Sequence, residues 1–137
     1  MATGAGSGVF VLDVDTKDGK DSPGELRKLE AEHGPLPETT TWRTLSGGLQ
    51  LAFQHPGGYV KGSVDELAVG LDIHGDGNYV LVPPSVGYEY VVRAAPAEAP
   101  NWLLELIRER RPTQVRRERR SLGENFLYGR EDVRGVA

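Results

Sequence analysis

"GVFVLDVDTKDG", Gly8–Gly19, sets four apolar residues, Val9 to Leu12, ahead of two carboxylates, Asp13 and Asp15. Its length and β-branched content predict a buried strand over 9–15. Acids at i and i+2 of a strand project to one face. A buried strand that finishes on two like charges needs a bound cation, a network of donors, or water at its end.

The segments around it carry their own punctuation. "DSPGELRKLEAEHG" (21–34) predicts a helix with Ser22 as N-cap, Pro23 at N1, Glu25 closing a capping box and Gly34 as the stop. Leu26 and Leu29 form its short apolar face. "TTTWRTL" (39–45) and "LQLAFQ" (49–54) read as two strands joined by a glycine turn at "SGG". "LAVGLDI" (67–73) and "NYVLVPP" (78–84) read as a second hairpin around "HGDG", and "YEYVV" (88–92) as a further strand. Pro83 and Pro84 end that pairing, since proline donates no ladder hydrogen bond. "APNWLLELIRERR" (99–111) predicts a closing helix with Trp102, Leu103, Leu106 and Ile107 as its buried stripe. Strand, helix, antiparallel hairpins and helix make an α+β fold, mainly antiparallel sheet with flanking helices. Two parts are expected: a folded core over 1–111 and a basic tail or linker over 112–137.

At 137 residues, 38% hydrophobic and 26% charged, the chain fits one domain with a real core. It has no cysteine, which excludes disulfides and thiolate metal sites. No apolar stretch approaches the ~20 residues of a membrane span, and "MATGAGSGVF" lacks the pattern of a secretory signal. A cytoplasmic protein with no membrane partner is the expectation. Residues 1–107 hold 7 basic against 15 acidic residues, whereas 108–137 hold 9 against 5, with seven arginines between Arg108 and Arg120. An acidic body with a basic end suits a metal-dependent site beside a polyanion-binding segment, or simply an arginine-rich solvated helix.

Paired acids at a strand end suit hard, oxygen-ligated cations such as Mg²⁺ or Mn²⁺. Asp72, in "GLDIHG", is a third acid in an apolar setting, as a ligand or as a capped turn residue. Asp76, in "GDGN", reads as ordinary turn chemistry. A calcium loop beginning at Asp13 fails, because Lys17 and Gly24 stand where ligands are required. A phosphatase of the D-x-D type, with Asp13 as nucleophile and Asp15 as acid, expects Thr or Val where Lys17 stands. A glycosyltransferase D-x-D lacks any supporting donor-binding motif.

Taken together, "TGAGSGVFVLDVDTKDG", "LEAEHGPLPETTTWRTLSGGLQLAF", "GLDIHGDGNYVLVPPS" and "APNWLLELI" closely resemble the primase–polymerase domain of plasmids, phages and integrated elements, within the archaeo-eukaryotic primase superfamily. The resemblance runs from about Ala2 to Ile107, with several motifs in order. It implies template-dependent nucleotidyl transfer, primer synthesis or DNA extension, by a two-metal mechanism using Mg²⁺ or Mn²⁺, with NTP or dNTP and a DNA template-primer as partners. Asp13 and Asp15 match the family's first motif and Asp72 its third, as metal ligands. Ser46, Gly47 and Gly48 match the start of the second motif, which lines the triphosphate pocket. Arg43 is a candidate triphosphate contact or a surface strand residue, and Lys61 is a weaker candidate.

The family's second motif has His where Gln50 stands here; an amide can donate a hydrogen bond but cannot titrate. Gln50, at a catalytic and nucleotide-binding position of that motif, is therefore expected to keep nucleotide binding and lose rate. The alternative function is accordingly a catalytically degenerate nucleotide- or nucleic-acid-binding module. His74 stands where the third motif often has Arg, as a phosphate contact or an ordinary turn histidine; His33 reads as structural. Trp42, Tyr59, Tyr79, Tyr88 and Tyr90 read as core packing or as base-stacking surfaces. Family members usually carry a further segment ahead of "TGAGSG", so the resemblance implies an N-terminally short domain: a natural short form, a truncated one, or a fragment whose apolar surface a partner or a second copy covers, which favours a homo-oligomer. They often continue into a helicase; no Walker-type motif follows here, so a helicase would be supplied in trans.

Overall fold

The computed structural model describes residues 1–109. The arginine run beyond Arg108 and the expected tail over 112–137 lie outside the described residues. The strands are β1 (Val9–Val14), β2 (Thr41–Arg43), β3 (Leu49–Gln54), β4 (Ser63–Ala68), β5 (Leu71–His74) and β6 (Glu89–Val92). They form one sheet in the order β4-β5-β1-β3-β2-β6, antiparallel at every junction. Helices α1 (Ser22–His33) and α2 (Asn101–Glu109) complete the α+β fold. Among the described residues no helix is long and apolar enough to cross a membrane.

Strand alternation gives the sheet two unlike faces. Phe10, Leu12 and Val14 point to the helix side, where they pack with Phe53, Leu71, Ile73 and with Leu103, Leu106 and Ile107 of α2. The Phe10 and Phe53 rings stack with centroids 5.8 Å apart. Leu26 and Leu29 of α1 flank this core. Trp102 is only half-buried and stacks on His33 at 5.2 Å, joining the end of α1 to α2. The opposite face has a smaller apolar cluster of Val11, Trp42, Ala52 and Val80. Asp13, the one charged residue of β1, shares that second face.

Two expectations are corrected. Helix α1 is capped by Asp21, whose side chain accepts from the Gly24 N–H; Ser22 already lies inside the helix and is fully buried. The Ser22 hydroxyl instead donates to the Asp15 carbonyl at 2.6 Å. Glu25 does not close a capping box but pairs with Lys28 at 3.3 Å. The second hairpin lies earlier than its apolar pattern implies: β4 turns into β5 at Val69-Gly70, where Gly70 has φ of +84°. A Cβ there would sit 2.6 Å from Ser22 Cβ and 2.9 Å from the Asp15 carbonyl, so a long-range close approach places the turn. Residues 78–80 pair instead with the N-terminal arm, through Thr3 N–H to Asn78 O at 3.0 Å and Val80 N–H to Met1 O at 2.9 Å.

Asp76 holds that arm down. Its carboxylate accepts from Ala5 N–H (2.9 Å), Val60 N–H (2.8 Å) and His55 Nε2 (2.9 Å). Gly57 N–H donates to His55 Nδ1, so the ring proton sits on Nε2, facing Asp76. The Val60 N–H first, then His55 and the Ala5 N–H, lower the Asp76 pKa from 3.8 to about 2. A depressed carboxyl pKa stabilises the fold fully above the unfolded value and loses that contribution as pH falls through the folded one. Asp76→Asn should therefore lower the urea unfolding midpoint near neutral pH, with the gap from wild type closing between about pH 4 and pH 2. Urea titrations followed by circular dichroism across that range check this; a gap independent of pH would mean the carboxylate's charge is not what holds the arm.

Candidate active site

Register builds the site. Asp13 of β1 lies opposite Asp72 of β5 on one side and Gln50 of β3 on the other. Gln50 in turn lies opposite Trp42 of β2, and Trp42 opposite Tyr90 of β6. Directly opposed residues share a face of the sheet, so a polar row crosses five strands on the side away from the helices. Asp15 follows one residue past the end of β1. Its backbone is fixed by Ser22 on its carbonyl and by its own N–H to Gly70 O at 2.8 Å. The buried start of α1 and the tight turn before β5 therefore position this second acid.

Each carboxylate is anchored through one oxygen. Asp13 Oδ2 accepts from Gln50 Nε2 at 3.0 Å and contacts His74 Nε2 at 3.1 Å. Asp15 Oδ1 accepts from Lys17 N–H at 2.9 Å. Asp72 Oδ1 accepts from Asp65 N–H at 2.9 Å. Beside them, Lys20 Nζ lies 3.4 Å from Asp65 Oδ1 and 4.0 Å from Asp15 Oδ2.

The charges are crowded. Burial, and then the negative charges of Asp13, Asp65 and Asp15, raise the Asp72 pKa despite the Asp65 N–H bond. The Gly70 N–H and Lys20 hold the Asp65 carboxyl below its ordinary value. Desolvation works against the charge on Lys20, but Asp65, Asp15 and Asp72 outweigh it and raise its pKa. Lys20 is thus a resident countercharge at the rim of an acidic cluster.

Asp13, Asp15 and Asp72 line one cleft of about 230 Å³ together with Gln50, Ser46, Thr44, Lys17 and Tyr88. Arg43, Gly47 and Gly48 do not line it; they border a separate cleft with Val14, Pro23 and Leu26. Gly47 takes φ of +94° in the hairpin turn. A Cβ on Gly48 would lie 2.6 Å from the Val14 carbonyl, so this glycine lets the turn approach β1. Lys61 and His74 line a neighbouring groove of about 460 Å³ with Tyr59, Asp76 and Asn78. His74 therefore stands between the two, a ring nitrogen on Asp13 and its edge in the next groove.

The sequence pattern did not point to Lys17, Thr44 or the polar role of Trp42, whereas Tyr88, one of the candidate stacking aromatics, does line the cleft. Lys17 follows directly from the acid pair, and the Trp42–Gln50 pair follows from counting outward through the glycine turn. Among the described residues, no group of three or more His, Cys, Asp or Glu side chains stands ready to hold a metal ion. Asp13, Asp15 and Asp72 are oxygen donors of the kind that would hold a hard cation, and they open on one polar cleft.

Asp13 and Asp15 at the end of a central strand, Asp72 beside them and a Ser-Gly-Gly turn across the cleft form an ordered set, and the family described as bifunctional DNA primase/polymerase, N-terminal, matches residues 1–102. The chain belongs to that family. No curated protein matches it, and no solved structure matches it. The match spans every strand of this primase/polymerase domain and the start of α2.

Charge crowding gives a test on the domain without ligand. A carboxyl whose pKa is raised by folding destabilises the fold once ionised, so the cost appears as pH rises through the folded value. Asp72→Asn keeps the oxygen that accepts from Asp65 and removes the charge. It should raise the thermal midpoint of the metal-free protein near pH 7, with the gain gone below about pH 4. Scanning calorimetry at both pH values checks this, and a lower midpoint near neutrality would contradict it.

Proposed function

We propose that this primase/polymerase domain carries out template-dependent nucleotidyl transfer, extending or starting a DNA strand with Asp13, Asp15 and Asp72 as the ligands of Mg²⁺ or Mn²⁺. The observation that supports this most is the strand register that puts Asp72 opposite Asp13, with Asp15 next along, in one polar cleft. When bound, two such cations would favour attack by a primer hydroxyl and neutralise the leaving pyrophosphate.

The chain's own residues have distinct tasks in this reading. Gln50 and His74 hold Asp13 by one oxygen. Lys17, Ser46 and Thr44, which share the cleft with the acids, take the triphosphate. Gly47 and Gly48 act indirectly, by bending the turn that presents Ser46. Arg43 is given no task in this reading, because it borders the other cleft. The setting of a plasmid, phage or integrated element rests on family resemblance.

Gln50 supports a second reading, in which nucleotide is bound but not transferred, since its amide cannot carry a proton to or from substrate. Calorimetric titration with a dNTP, with and without Mn²⁺, tests what the two readings share. Saturable binding is expected only with Mn²⁺ and should be absent in Asp13→Ala. Loss of one charged phosphate contact in Lys17→Ala should weaken binding roughly tenfold. Binding that ignores Mn²⁺, or that survives Asp13→Ala unchanged, would overturn the metal assignment. Extension of a labelled primer then separates the readings: elongated product supports transfer, and tight binding without product supports the binding module.

A further inference from the structure

Trp42 and Gln50 are both buried, at 2% and 7% exposure, on the face that carries the acids. The Trp42 Nε1–H donates to Gln50 Oε1 at 2.8 Å, and Gln50 Nε2 donates to Asp13 Oδ2 at 3.0 Å. This order is forced by chemistry. An indole nitrogen can only donate and an ionised carboxylate can only accept, so the amide oxygen must face Trp42 and the amide NH₂ must face Asp13. A flipped amide would set oxygen against carboxylate and N–H against N–H at a buried site, where unpaired polar groups are costly.

The indole itself is held. Val11, Ala52 and Val80 pack in its cluster, and Tyr90 meets it edge-on at 6.4 Å, with the Arg93 guanidinium 4.6 Å from the centre of the Tyr90 ring. In this position Gln50 offers one acceptor and one donor, the pair that a neutral imidazole offers, without a second protonation state.

We propose that Trp42 is a positioning residue for the acid cleft: acting through the Gln50 amide, it holds Asp13 Oδ2 and so keeps the other carboxylate oxygen, Oδ1, aimed for a divalent cation. This rests on the reading of Asp13 as a metal ligand. Trp42 touches neither substrate nor cation in it. Outer partners that orient a ligand commonly govern affinity about as strongly as the proposal requires, tenfold or more.

The test uses the full chain and Mg²⁺ alone, followed by ¹H–¹⁵N spectra. The chain has two tryptophans, and Trp102 lies on the helix side, stacked on His33. Saturating Mg²⁺ should shift the Trp42 indole N–H resonance and leave that of Trp102 in place. Trp42→Phe keeps a ring and deletes the donor; it should weaken Mg²⁺ about tenfold. Gln50→Met should do the same, and the double variant should be no weaker than either single one, because both break one chain of contacts.

A still Trp42 resonance during saturable Mg²⁺ binding overturns the proposal and leaves the metal reading intact. So do additive losses in the double variant, or a Trp42→Phe chain that melts earlier yet binds Mg²⁺ as tightly as wild type. Absence of any saturable Mg²⁺ binding overturns both readings together. The indole measurement needs no variant and decides the matter even where Trp42→Phe fails to fold.

Discussion

Slipping the pairing of β1 by one residue would turn Asp13 toward the helices and bring Leu12 or Val14 out to water. The register that prevents this is set on both sides at once, by β3 and by β5. On the covered face, Phe10 against Phe53 and Leu12 against Leu51 and Ile73 would all be lost in a slip. Each large apolar side chain returned to water costs about 1.5–3 kcal/mol, so hydrocarbon packing specifies where the carboxylates stand. The chemistry of one face is thereby held by the greasiness of the other.

Holding three acids together opposes folding, and the molecule meets the opposition with donors. Backbone N–H groups of Lys17 and Asp65 take Asp15 and Asp72, while Gln50 and His74 take Asp13. Lys20 adds a full positive charge beside Asp65 and Asp15. Burial first, and then the charges of Asp13, Asp65 and Asp15, still raise the Asp72 pKa despite these contacts. The negative charge left in this polar cleft is what the proposed cation binding would draw on.

Much of this was readable from local signals. The strand over 9–14, the helix over 22–33, the glycine hairpin and the closing helix each carry their own punctuation, and each stands where its pattern predicts. The acid set was legible too, because alternation along one strand puts Asp13 and Asp15 on one side. What misled was non-local. The turn at Val69-Gly70 has no proline, Asn or Asp to announce it, and it is placed by contact with Ser22 and Asp15. The apolar run over 78–82 looks like a partner for 67–73 but pairs with the first residues of the chain. Asp76 does sit in a turn, yet its donors come from Ala5, His55 and Val60, which no local pattern connects. Arg43 lies opposite Leu49, not Gln50, and is exposed on the other side of the sheet from the acids, as a surface strand residue would be.

That two-sided strand also bears on how such a domain diverges. Substitutions at Phe10, Leu12 and Val14 are judged by whether the chain folds, and those at Asp13 and Asp15 by what the cleft can hold. Neighbours in sequence thus answer to separate selective pressures. Along β1 the tolerated alphabet should alternate, bulky hydrocarbon interchangeable at one residue and a single functional group demanded at the next. Lineages that give up the chemistry would then keep the first rhythm and lose the second, leaving a recognisable sheet with its acids gone.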